Sequence, residues 1–158
     1  HGGSIRVFIS QNKKIKVEES VNYMLEEEEK FGLKKIETYL DFGKKIESLK
    51  QKVKLNLKKL KQKHNKIIGF GSPAKATTSL NYFGISSEID FIIEDNELKD
   101  GMLVPGVNIQ IKHKSKLNLN EIKQDDCILV LAWNFYDEIK KNNNNLSKTF
   151  VNIKALEK

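Results

Sequence analysis

The chain has 158 residues and a mass of 18.2 kDa, a length that suits one domain and is short for two. With 39% hydrophobic and 31% charged residues it can build a sizeable core, which excludes a wholly disordered chain. No apolar run approaches the roughly 20 residues of a membrane helix. No signal-peptide pattern opens the sequence, so the expected location is cytoplasmic. The single cysteine, Cys127, excludes an internal disulfide and a Cys-x-x-Cys metal site. Three scattered histidines, His1, His64 and His113, speak against zinc, and no metal is expected.

The net charge is +7, and its distribution matters more than its total. Residues 43–66 hold ten lysines and one acid, Glu47, for a net +9, so the rest of the chain sums to −2. Against 27 lysines stands one arginine, Arg6. Readers of base edges rely on the bidentate arginine fork. The lysines therefore read first as the solvated outside of a long helix, and nucleic acid is an unlikely partner.

In chain order, Ile-Arg-Val-Phe-Ile at 5–9 is a short β-rich run after a Gly-Gly turn. Residues 18–31 read as a helix with Val21, Met24, Leu25 and Phe31 as candidate buried positions and Gly32 as its stop. From Lys34 to His64, Ile36, Leu40, Gly43, Ile46, Leu49, Val53, Leu57, Leu60 and His64 follow steps of three and four. That is a narrow stripe on one helix about 46 Å long. Lysines at the flanking positions would repel in a parallel homodimeric coil. The stripe therefore reads as a strut packed across a sheet and a neighbouring domain.

After His64 the period changes. Residues 66–71 form a buried strand entering a glycine turn. Pro73 stands where a first helical residue would, and 74–82 is a helix ended by Gly84. Residues 88–95 are a second strand, followed by a loop with Gly101, Pro105 and Gly106. A short strand at 107–111 and a helical turn at 119–123 come next. The continuous apolar run 127–132 suits a parallel strand covered on both faces. A helix at 135–141, an asparagine loop at 142–145 and a last strand at 149–153 complete the order. The fold class is α/β: a Rossmann-like open, mostly parallel sheet preceded by a short strand and a long helix. The expected division is a strand segment at 1–12, a helical strut at 13–65 and the Rossmann-like domain at 66–158.

The best candidate site is Gly69-Phe70-Gly71-Ser72-Pro73-Ala74-Lys75. A strand, a two-glycine turn and a helix start gather backbone N–H groups and a positive dipole end, where phosphates bind. Lys75 would add a full charge, and Thr77 and Thr78 hydroxyl donors. The pattern lacks the third glycine of GxGxxG and is not a P-loop. The same glycines could serve only close packing of strand and helix. Glu94 lies 25 residues past Gly69, near the spacing at which an acid takes ribose hydroxyls in a dinucleotide unit. Trp133 and Asn134 follow a strand at the carboxyl edge, where a tryptophan can stack on a base or sugar, or merely cap the core. On the residues alone, a dinucleotide-binding module of NAD type stays open. So does, less strongly, a nucleic-acid binder using the lysine helix.

Several motifs occur together in one order: His-Gly-Gly-Ser-Ile-Arg (1–6), Gly-Phe-Gly-Ser-Pro-Ala-Lys (69–75), Leu80-Asn81-Tyr82, Gly84-Ile85, Lys99-Asp100-Gly101, Pro105-Gly106, and Trp133-Asn134 with Asp137-Glu138-Ile139. In this the chain resembles the C-terminal domain of S-adenosylmethionine-dependent sugar C-methyltransferases, which act on nucleotide-linked keto-sugars. The resemblance implies that residues 1–12 belong to the preceding methyltransferase domain. It also implies that His1 is the base removing the proton next to the ketone, so that the enolate can take the methyl group. Residues 69–75 would grip the nucleotide diphosphate, with Gly69, Gly71, Ser72, Ala74, Lys75, Thr77, Glu94, Trp133 and Asn134 as its binding set. S-adenosylmethionine would be bound by a domain outside this chain, leaving a fragment without cofactor or activity of its own. The family's GYGAPAKGN reads GFGSPAKAT here, with Ala76-Thr77 in place of Gly-Asn.

Overall fold

The computed structural model describes residues 4–118 and 120–158. Its elements in chain order are α1 (Glu19–Phe31), α2 (Ile36–Lys63), β1 (Ile67–Phe70), α3 (Ala74–Phe83), β2 (Phe91–Glu94), β3 (Ile111–His113), β4 (Cys127–Val130), α4 (Tyr136–Asn142) and β5 (Thr149–Asn152). By packing, the chain divides inside α2: residues up to Glu47 form one unit and Ser48–Lys158 another. Among the described residues no helix is long and apolar enough to cross a membrane.

In the second unit the five strands form one open sheet in the order β3-β2-β1-β4-β5. Every pairing is parallel: Ile68 sits opposite Phe91 on one side and Ile128 on the other. The expected α/β class holds, and the mostly parallel sheet is wholly parallel. The continuous apolar runs of β1 and β4 are explained by burial on both faces. Side chains alternate between the faces. Ile67, Ile92, Cys127 and Leu129 meet α3 through Ala76 and Leu80, and α2 through Val53 and Leu57. Ile68, Phe70, Ile93, Ile128 and Val130 meet α4 through Ile139. Two carboxylates tie the entry to β1. Asp126 accepts the Lys66 N–H, and Asp90 accepts both the Ile67 N–H and the Lys61 ammonium.

The expected stripe on the long helix is buried only in part, and its last member, His64, lies just past the end of α2. Val53 and Leu57 are fully enclosed, each contributing about 1.5–3 kcal/mol by burial, while Ile36 and Leu40 are exposed. The α1 positions Val21, Met24, Leu25 and Phe31, expected buried, are exposed as well. Their spacing marks an apolar face, and nothing within the described residues covers it. Gly32 does stop α1, with φ +83° and its N–H on the carbonyls of Glu28 and Glu29. Residues 5–9, expected as a strand, carry no ladder hydrogen bonds, and Ile5, Val7, Phe8 and Ile9 face outward.

Smaller corrections concern element ends. Pro73 caps α3 from outside, with an extended ψ of 164°, rather than being its first residue. The second strand begins at Phe91 because Ser86–Glu88 form a 3-10 turn. The expected strand at 107–111 is displaced to β3: Gln110 bridges back to Leu103, and Asn108 at φ 56° breaks the extended chain. The described part of 119–123 is a turn rather than a helix, and Leu119 lies outside the described residues. Phe135 belongs to a 3-10 turn preceding α4.

Leu57→Ala should cost about 2–5 kcal/mol, because the enclosed side chain leaves a cavity against the sheet. Leu40→Ala on the same helix should stay within about 0.5 kcal/mol. Urea denaturation of both variants beside wild type measures the contrast.

Candidate functional site

β1 leads directly into the glycine turn. Gly71 has φ +84°, a conformation side chains disfavour, and its N–H donates to the Ile93 carbonyl at 2.8 Å. A Cβ there would stand 2.7 Å from the Ala132 Cβ, and one at Gly69 would stand 2.8 Å from Ile92. Both glycines are therefore required by packing. The space that Gly71 leaves open is filled by Ala132 of the chain itself.

The helix start that follows keeps donors free. Ala76 and Thr77 donate their N–H groups to the Pro73 carbonyl, and no side chain caps α3. The N–H groups of Ala74 and Lys75 have no acceptor among the described residues. The Lys75 ammonium lies 4.3 Å from the centre of the Trp133 ring, and the Lys154 ammonium lies 5.6 Å from the same centre. Neither lysine has a carboxylate partner among the described residues. Thr77 is half-buried on the first turn, while the Thr78 hydroxyl is spent on the Ala74 carbonyl.

Glu94, at the end of β2, is turned onto the glycine turn. Its Oε2 accepts the Ser72 N–H at 2.9 Å and the Ser72 hydroxyl at 2.5 Å. Lys99 adds its ammonium to that oxygen at 3.3 Å and to the Ser72 carbonyl at 3.0 Å. Oε1 accepts the N–H groups of Asp95 and Asn96. Burial pushes the Glu94 pKa up, but the Ser72 hydrogen bonds, the Asn96 N–H and the Lys99 charge outweigh it and hold the carboxyl below its ordinary value. The expected ribose acid is thus saturated by its own chain. It takes up the one N–H of the turn, that of Ser72, that an anion would otherwise seek.

On the α4 side of the turn lies a groove of about 580 Å³. Phe70, Ala132 and Ile139 line it with apolar groups, and Gly71, Ser72 and Glu94 line it as well. Lys99, Lys114, Phe135, Glu138 and Asn143 line it too. None of these five was in the expected set. Lys99 was visible only as part of a Lys-Asp-Gly loop element, and Asn143 only as one of four successive asparagines.

The expected residues are therefore divided. Gly71, Ser72 and Glu94 share the groove. Lys75 and Trp133 touch each other, and Trp133 packs with the core on the α3 face. Gly69 lies inside the sheet. Ala74 contributes a free N–H, and Thr77 stands beside it on α3. Asn134 is exposed and its side chain has no hydrogen-bond partner among the described residues. His1 lies outside the described residues.

Compared with known protein families, the chain matches over residues 1–152 the model described as the C-methyltransferase C-terminal domain. No curated protein matches it.

Gly71→Ala should destabilise the chain by about 2–5 kcal/mol, combining the left-handed backbone with overpacking against Ala132. A lowered carboxyl pKa contributes stability that is fully present above the ordinary value of 4.5 and lost as pH falls through the lower folded value. Glu94→Gln should therefore be less stable than wild type at pH 7, and the gap should narrow steadily below pH 4.5. Chemical denaturation at stepped pH measures both.

Proposed function

The chain belongs to the C-methyltransferase C-terminal domain family, and on that premise we propose that it is the substrate-holding part of an S-adenosylmethionine-dependent enzyme that methylates a nucleotide-linked keto-sugar. The parent is a C-methyltransferase, and the family places this chain after another domain of the same polypeptide. The observation that carries the proposal is the start of α3. There two unpaired N–H groups, a helix dipole, and the ammonium groups of Lys75 and Lys154 over Trp133 come together. This is a seat for the diphosphate that links nucleoside and sugar.

The work of this chain is to bind and orient. Two fixed N–H donors and two ammonium groups neutralise a diphosphate without the freedom of a flexible loop. Binding energy gathered far from the reacting carbon can be used to position it. The proton beside the ketone needs a base within hydrogen-bond reach, and His1 is the proposed base. Residues 1–12 are proposed as the segment that joins the preceding domain.

The residues of this chain do not fit S-adenosylmethionine. Glu94, the end-of-strand acid that could take a cofactor ribose, already accepts hydrogen bonds from Ser72, Asp95, Asn96 and Lys99. The same saturation counts against a dinucleotide module of NAD type, which needs that acid free. The methyl donor is therefore assigned to the preceding domain, and this chain alone should transfer no methyl group to a nucleotide sugar.

Lys75→Ala should weaken binding of a nucleoside diphosphate by about 1–3 kcal/mol, the range for a hydrogen bond to a charged group. Replacing Lys58 and Lys59 together, both exposed on α2, should leave it unchanged. Calorimetric titration of UDP and dTDP into wild type and both variants tests the assignment. If the α2 change abolishes binding and Lys75→Ala does not, the anion sits on the lysine helix instead.

A further inference from the structure

We propose that the apolar faces of α1 and of the first two turns of α2 are the surface on which the preceding domain of the same polypeptide docks, so that the border between the two cores lies inside α2. This surface is separate from the diphosphate seat and follows from the family's domain order, not from the ligand.

The first support is where the exposed apolar groups fall. Among the described residues 22 large apolar side chains are exposed, and 16 of them lie between Ile5 and Phe42. The unit that ends at Glu47 encloses none of its described apolar side chains, and the buried core begins at Val53. A helix of 13 residues such as α1 is marginal in water unless its apolar face is packed. Val21, Met24, Leu25 and Phe31 recur at helical spacing on one side of α1, and Ile36 and Leu40 do so on α2. Apolar surface gathered in one segment in this way marks an interaction site.

The second support is a glycine without a local cause. Gly43 lies three residues past Leu40 and seven past Ile36, on the same side of α2. A Cβ there would meet nothing within 4 Å. Glycine inside a helix is unfavourable relative to alanine, and no contact among the described residues requires it. An element that comes close to the helix backbone from outside does require it.

The third support concerns the occupant. Residues 1–47 hold nine basic and nine acidic residues and are neutral, so the whole +7 belongs to residues 48–158. A neutral apolar face matches another protein surface, whereas nucleic acid and anionic membranes are drawn to positive charge. The family places another domain before this chain. Exposure is greatest near that end, at 86% for Phe8 and 91% for Ile9. A domain tethered there is present at an effective concentration on the order of millimolar, well placed to outcompete a second copy.

Hydrogen exchange read by mass spectrometry tests this on the present chain and on the parent polypeptide that carries the preceding domain. Amides of residues 21–31 and 36–43 should exchange about tenfold or more slowly in the parent than in this chain. Gly43→Ala should act with opposite signs in the two. In this chain it should slow exchange around residue 43 by about two- to fivefold through helix propensity. In the parent it should speed exchange across α1, because the new Cβ collides with the docked domain. Leu40→Asp, at an exposed position, should leave this chain folded and strip the added protection from the parent. Equal exchange in chain and parent, or a Gly43→Ala variant slowed in both, overturns the proposal. So does a parent dimer that Leu40→Asp dissolves, which gives the face to a second copy. None of these readouts involves a nucleotide, so failure of the diphosphate seat leaves them untouched.

Discussion

At the carboxyl edge of β1 the backbone passes Ala132 so closely that residue 71 has no room for a side chain. Everything at that edge follows from this approach. It draws the ends of β1 and β4 together where the sheet's connections diverge, the place at which open α/β sheets present their ligand crevice. It forces the left-handed turn that directs Ser72 toward β2, where Glu94 meets it. It also launches α3 from an extended Pro73, which cannot cap the helix and leaves the next N–H groups bare. A tightly packed joint thus generates the exposed donors beside it.

The two sides of this joint differ in electrical character. Toward α3 there are bare N–H groups and ammonium groups sharing an indole face. Toward α4 the carboxylates of Asp95 and Glu138 share the groove lining with the ammonium groups of Lys99 and Lys114 and with the apolar Phe70 and Ile139. Ser72 stands on the divide with Glu94 as its internal counter-anion.

The sheet was legible in the sequence because β1, β2 and β4 are buried on both faces and so read as unbroken apolar runs between turn signals. The glycine turn was legible because its special backbone demands glycine, and the approach of Ala132 adds a second demand for the same residue. Burial on α1 was not legible. Spacing reveals which side of a helix is apolar, but only contacts reveal whether anything lies against Val21 or Phe31. For Glu94, position along β2 predicts where a carboxylate emerges, not the Ser72, Asp95, Asn96 and Lys99 donors that meet it. Lys99 reaches Ser72 across 27 positions of chain, a distance that no local pattern encodes. Asn143 was hidden in an asparagine run whose members look alike until one of them is enclosed.

Cys127 begins β4 in the middle of the sheet, fully enclosed, and burial raises its thiol pKa to about 12. In the native state it is therefore neither reachable nor ionised, and an alkylating or disulfide reagent meets it only when the sheet opens. The chain carries a single cysteine, so there is no second thiol to confuse the signal. Its modification rate is a built-in clock for opening of the strands that flank the glycine turn. Any molecule that binds only the closed sheet must slow that clock in proportion to its occupancy.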